Sequence, residues 1–156
     1  MGREASPPEP SEPVKLPEWE VPSSWKPQPP PNDMVLRSFA LADAEGGKAD
    51  LTVTVLGGVS GGLLANVNRW RGQIGLAPVD DVELAKLAKP VDEKAGSATL
   101  VDMIGERNGQ KLRIIGAVVP KNGRTWYYKI MGSERVAEQE KAAFLKFVQT
   151  VRYPDA

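Results

Sequence analysis

Lys111-Leu112-Arg113-Ile114-Ile115-Gly116-Ala117-Val118-Val119-Pro120, then Lys121-Asn122-Gly123-Arg124, then Thr125-Trp126-Tyr127-Tyr128-Lys129-Ile130-Met131, reads as two strands folded about a tight turn. β-Branched and aromatic residues fill both arms, as a pleated and largely buried surface favours. Asn122-Gly123 between them supplies the two positive-φ positions of a two-residue hairpin. Alternation puts Trp126 and Tyr128 on one face and Tyr127 on the other, which core and cross-strand packing explain better than a ligand cage.

Working outward toward the C-terminus, Ser133 stands where an N-cap is needed. The helix it opens is expected to reach about residue 152, with Val136, Phe144, Phe147, Val148 and Val151 on its apolar face. Toward the N-terminus a further strand is expected over 97–104. Before it, a short helix over about 79–89 carries Asp80 and Asp81 at its positive end and stops at Pro90. A longer helix over about 63–74 repeats Leu63, Val67, Trp70 and Ile74 at helical spacing. Two strands come first, over 35–41 and 50–56, separated by Gly46-Gly47, and the second alternates Leu51, Val53 and Val55 with threonines. Strand, strand, helix, helix, three strands and helix, joined by short connections, implies an α+β fold. The expected architecture is an α/β/α sandwich on a mainly antiparallel sheet.

Residues 1–33 differ in kind, holding ten of the fourteen prolines. Such a stretch has too little apolar area to offset its ordering entropy, so it is expected to be an extended or disordered leader or tether before a single domain over 34–153. Trp19 and Trp25 interrupt it. They read either as a recognition motif for a partner or, with more weight, as rings that dock the leader onto the domain, since large aromatic area is seldom left in water.

Composition removes several chemistries. Lys and Arg number 20, Asp and Glu 20, so no net field favours nucleic acid or an anionic membrane. No cysteine and no histidine occur, which removes disulfides, cysteine nucleophiles, histidine bases and the soft and imidazole ligands of most metal sites. No cofactor is expected. No apolar run reaches the roughly 20 residues of a membrane span, and the first residues carry no signal-peptide core.

Two constellations remain. Gly58-Val59-Ser60-Gly61-Gly62 matches a nucleophile elbow between strand and helix, but without a histidine base Ser60 reads as a helix cap. The same glycines, Gly58, Gly61 and Gly62, with Ser60, offer an anion cradle at a helix start, against the plainer reading of a turn. On the helix over 63–74, Asn66, Arg69 and Gln73 share one stripe, with Asn68 and Arg71 around the other side. Two asparagines within three residues suit hydrogen bonding better than helicity. They form either a recognition surface or a set of props for neighbouring loop carbonyls. The carboxylates Asp102, Glu106, Glu134, Glu138 and Glu140 look scattered, with no catalytic pair among them.

The tract Gly123–Ser133 with the helix ending Phe144-Leu145-Lys146-Phe147-Val148-Gln149-Thr150-Val151-Arg152-Tyr153 resembles the closing strand and helix of PsbP-like proteins. The tract Ala65-Asn66-Val67-Asn68-Arg69-Trp70-Arg71-Gly72-Gln73-Ile74-Gly75-Leu76 is similar to one in short bacterial envelope proteins. The resemblance implies an α/β/α sandwich, no enzymatic activity, and a role as an extrinsic subunit, assembly factor or binder of a protein partner in a membrane complex. It carries over no binding residues. Bacterial relatives are commonly exported, often as lipoproteins, and this sequence shows neither signal peptide nor lipobox cysteine. The chain is therefore expected to be periplasmic or envelope-attached if an export signal was trimmed, and cytoplasmic otherwise.

The function expected is that of a non-catalytic accessory subunit. Asn66, Asn68, Arg69, Arg71 and Gln73, with Trp19 and Trp25, would be its partner contacts. A small-anion or ligand-binding module built on residues 57–62 is the alternative.

Overall fold

The computed structural model describes residues 16–57, 62–91, 98–121 and 123–153. The opening hairpin is its centre. Gln110–Lys121 (β6) and Arg124–Ser133 (β7) pair antiparallel, Lys121 facing Arg124, and Gly123 takes φ +76° as the tight turn requires. On the other side of β6 lies Thr99–Arg107 (β5), joined to it through a second Asn-Gly turn, Asn108-Gly109, with φ +53° and +78°. Val35–Ala42 (β2) and Lys48–Gly57 (β3) form their own hairpin, and β3 joins β7.

Two short strands complete the edges, Lys26–Gln28 (β1) beside β2 and Lys89–Pro90 (β4) beside β5. Among the described residues the sheet has seven strands in the order β1-β2-β3-β7-β6-β5-β4, all antiparallel. The helices among the described residues are Gly62–Gln73 (α1), Asp81–Leu87 (α2) and Glu134–Thr150 (α3). The α+β class and the antiparallel sheet stand as expected.

Strand alternation divides the core between the two faces of this sheet. On one, Leu51, Val53, Ile115, Ala117, Trp126, Tyr128 and Ile130 pack against Val136, Phe144, Phe147 and Val148 of α3. On the other, Val101, Met103, Ile114, Val118 and Tyr127 receive Val67, Trp70 and Ile74 of α1 and Leu84 of α2. Ser133 caps α3, its hydroxyl accepting from the Val136 amide, and Asp80 caps α2 through the Glu83 amide.

Three expectations about boundaries need correction. The folded unit begins well before Met34. Lys26–Gln28 pairs with β2, Trp25 is 2% exposed, and Glu18 exchanges backbone hydrogen bonds with Arg152 at 2.9 and 2.8 Å. Residues 16–33 are thus bound along the sheet edge and the end of α3, because two indoles offer enough apolar area to offset ordering a proline-rich strand. Proline is tolerated there since an edge strand needs fewer amide donors. Residues 1–15 lie outside the described set.

The short second helix ends at Leu87, so that Lys89-Pro90 pairs with Leu100 and Thr99 instead of closing the helix. The strand expected from residue 97 begins at Thr99.

Candidate functional site

α1 and α2 cover only part of their face of the sheet. Over β3 and the adjoining part of β7 the strand side chains line a groove of about 600 Å³. Its floor is Asp50, Thr52, Thr54 and Leu56 of β3 with Tyr127, Lys129 and Met131 of β7. One wall is Arg69, Trp70 and Gln73 of α1, and the other is the approach to β2 at Pro31, Asn32, Met34 and Val35. The volume lies within the several hundred Å³ usual for ligand sites.

Cross-strand register explains how the wall is placed. Thr52, Lys129, Gly116 and Val101 lie abreast on neighbouring strands. Trp70 of α1 lies against Gly116, where a Cβ would overlap the indole ring. The missing side chain lets the helix approach, and Trp70 meets Tyr127 edge to face with centroids 6.3 Å apart. Lys129, next along the row, then has its ammonium 5.7 Å from the Trp70 ring centroid and donates to Gln73 Oε1 at 2.9 Å. Burial pushes the Lys129 amine down to about 8, and the neighbouring Arg69 guanidinium pushes it the same way.

Arg69 is exposed on the groove wall. Among the described residues neither Arg69 nor Lys129 makes an ion pair with a carboxylate. Asp50, the acid of the groove, instead accepts from Gln28 Nε2 at 2.9 Å. Burial raises the Tyr127 hydroxyl above its ordinary range against opposing effects of Arg69 and Asn66, so it stays a neutral donor and acceptor.

The α1 residues read from the sequence therefore divide. Asn66 is 2% exposed and donates to the Gly62 carbonyl at 2.7 Å and to the Tyr127 hydroxyl at 3.2 Å. Asn68 holds both backbone groups of Val79, at 2.8 and 3.0 Å, and Arg71 Nε donates to the Ala77 carbonyl at 2.7 Å. These three are turned inward or onto the α1–α2 connection, as props for a backbone that lacks partners of its own. Only Arg69 and Gln73 of the five line the groove. Trp25 is not presented to solvent either, its indole nitrogen donating to Glu140 at 2.8 Å, and Trp19 packs on Phe147. Gly58, Ser60 and Gly61 lie outside the described residues. Gly62 opens α1 with φ +73°.

A second cluster, on the α3 face, corrects the view that the carboxylates are scattered. Arg113 of β6 is 6% exposed and grips Asp102 of β5 with two bonds of 2.7 Å. It also reaches Glu138 at 2.6 Å and Glu134 at 3.4 Å, both on α3, while Lys141 meets Asp102 at 2.7 Å. Burial alone would raise the Asp102 carboxyl, but the bonds from Arg113 and Lys141 outweigh it and hold it below its usual range. These charges pair with one another and clamp α3 to the sheet. No group of three or more acidic side chains among the described residues is arranged to hold a metal ion.

No family model matches this chain, nor does any curated protein. Solved structures do. A protein of unknown function, PA94 from Pseudomonas aeruginosa, superposes with a TM-score of 0.52 at 14% identity, over 87% of this chain and 90% of that one. A Bacteroides thetaiotaomicron protein gives 0.49 at 11% identity over 88% of this chain, which spans 44% of that protein's length. LpqN of Mycobacterium tuberculosis, involved in cell envelope biogenesis, gives 0.43 at 16% identity, over 91% of this chain and 87% of LpqN. The Pseudomonas likeness shows a shared fold, and at such identities it says nothing of activity. No helix among the described residues is long and apolar enough to cross a membrane.

Proposed function

We propose that this chain is a non-catalytic accessory protein that works by binding, and that its working surface is the groove between α1 and the β1–β2 approach. The observation that carries this is the uncovered stretch of sheet, where Thr52 and Thr54 remain half-buried beside a wall set by Trp70. A face this deep, lined by apolar and hydrogen-bonding groups together, suits recognition. The lack of any histidine or cysteine supports the non-catalytic reading. So does the pairing of Asp102 and Glu138 with Arg113.

The partner in this reading is a protein of a membrane-associated or envelope complex, which is what the PsbP-like resemblance of residues 123–153 implies. The surface differs from the one the α1 sequence suggested, since Asn66, Asn68 and Arg71 are occupied within the fold. The test is crosslinked capture from native extracts with wild type and with Thr54→Trp, which fills the groove. Both proteins are first matched for folding by thermal melting. A partner recovered by wild type and lost with Thr54→Trp is the expected result. Equal recovery by both would overturn the groove as the working surface.

One observation favours a ligand-binding reading of the same groove: Arg69 and Lys129 converge on it with no ion-pair partner among the described residues. This moves the anion site of the alternative from the glycine loop to the sheet.

A further inference from the structure

We propose that the groove binds a small amphipathic anion, its carboxylate or phosphate head held between Arg69 and Lys129 and its apolar body lying toward Leu56, Val35 and Tyr127. This rests on the groove being the working surface.

The argument begins with charge. Lys129 carries three N–H donors, of which Gln73 Oε1 takes one. Its other contact is the face of Trp70. A partly buried ammonium beside a second cation is unfavourable unless an anion compensates, and the exposed guanidinium of Arg69 has a planar fork of donors free to share one. The rest of the site adds hydroxyls, and its one acid among the described residues accepts from an amide. Thr52, directly across from Lys129 in the sheet, and Thr54 can donate to a head group, while Asp50, diagonal to Lys129 on the same face, accepts from Gln28.

The apolar half follows from register. Val35 is abreast of Thr54, and Thr54 is abreast of Tyr127, so Val35, Leu56, Tyr127 and the exposed Met34 gather on one side of Lys129. A ligand with one charged end and one apolar end matches this division.

An extended peptide fits less well. The floor strands β3 and β7 are interior strands whose backbone groups pair within the sheet, so the floor itself offers no free edge for strand addition. Recognition must come through side chains, as it does for a small molecule.

The experiment is titration calorimetry of the folded chain with decanoate, decyl phosphate and decanol, below the concentrations at which each aggregates. Decanoate and decyl phosphate are expected to bind at one site, with decanol about tenfold weaker or worse, because a charge-assisted pair of bonds is lost. Lys129→Gln and Arg69→Gln should each weaken both anions about fivefold to tenfold and leave decanol unchanged. Equal binding of decanol and the two anions by wild type would overturn the inference without recourse to any variant.

A parallel arm sediments the protein with vesicles containing phosphatidylglycerol. Binding to vesicles with none to the dissolved amphiphiles would assign the charge to a membrane surface and overturn the groove site. If the amphiphiles fail while Thr54→Trp still abolishes partner capture, the anion inference falls and the groove remains the protein-binding surface. If both fail, both readings fall.

Discussion

The two faces of the sheet treat charge in opposite ways. On the α3 face, Arg113 and Lys141 meet Asp102, Glu134 and Glu138, so every charge in the cluster has a partner within 3.4 Å. That face is closed, with Trp25, Tyr128, Phe144 and Phe147 each at most 2% exposed. On the α1 face, the helices leave part of the floor open and Lys129 sits against Trp70 with an amide oxygen in place of a carboxylate. Leaving one partner of a buried pair uncompensated is costly, so a chain is expected to pair the charges it buries, and Lys129 in the groove floor departs from that rule. Under the proposed function, the difference separates stability, on the α3 face, from binding, on the α1 face.

The largest effect expected comes from breaking the closed face at Trp25. Trp25→Ala removes a buried indole that meets Phe39 and Phe147, and should destabilise the fold by about 3–5 kcal/mol, read by urea unfolding. A loss under about 1 kcal/mol would mean that residues 16–33 are a tether after all, within the scatter of surface substitutions.

Arg113→Leu should come next, with a loss of about 3 kcal/mol at neutral pH, since Asp102, Glu134 and Glu138 would then face one another with only Lys141 between them. Its pH dependence has a definite sign. The Asp102 carboxyl is held below its ordinary 3.8 when folded, so its contribution is present above that value and lost as pH falls through the lower folded one. The gap between wild type and Arg113→Leu should therefore narrow in acid. A gap that stays constant down to pH 2 would show that the guanidinium acts by packing alone.

The smallest effect belongs to the open face. Lys129 is depressed to about 8 from 10.5, so between those values the unfolded chain binds the proton that the folded one has lost. Wild-type stability should therefore gain relative to Lys129→Met as pH rises through that window. The groups facing the amine are Arg69 and Gln73 on α1 and, in the floor, Asp50 of β3 and Tyr127 of β7. Parallel melting curves for the two proteins from pH 7.5 to 10.5 would show that Lys129 is solvated and would weaken the contrast between the faces.

Much of the fold was legible because its signals are local. Asn122-Gly123 specified the hairpin that became the centre of the sheet, and Ser133 capped the helix it appeared to cap. Asn108-Gly109 carried the same hairpin signal and would have fixed the β5–β6 register equally well. The site was less legible. Lys129 had left one trace, a lysine between Tyr127 and Met131 on a strand face otherwise apolar or aromatic. Asn66, Asn68 and Arg71 were visible as hydrogen-bonding residues, but whether they reached outward or inward depended on Tyr127, Val79 and Ala77, which a helix-wheel argument cannot supply.

The amino-acid sequence by itself determined the five longer strands, the helices and the absence of imidazole and thiol chemistry, because these depend on neighbours in the chain and on composition. Tertiary structure alone decided that Trp25 joins the core, that Arg113 collects carboxylates from a strand and a helix, and that Arg69 and Lys129 line one open groove. Each of these joins residues from separate elements, from 11 positions apart for Arg113 and Asp102 to 115 for Trp25 and Glu140. Their meeting is set by sheet order and by which face each strand residue points to, and a one-residue change of register would undo it.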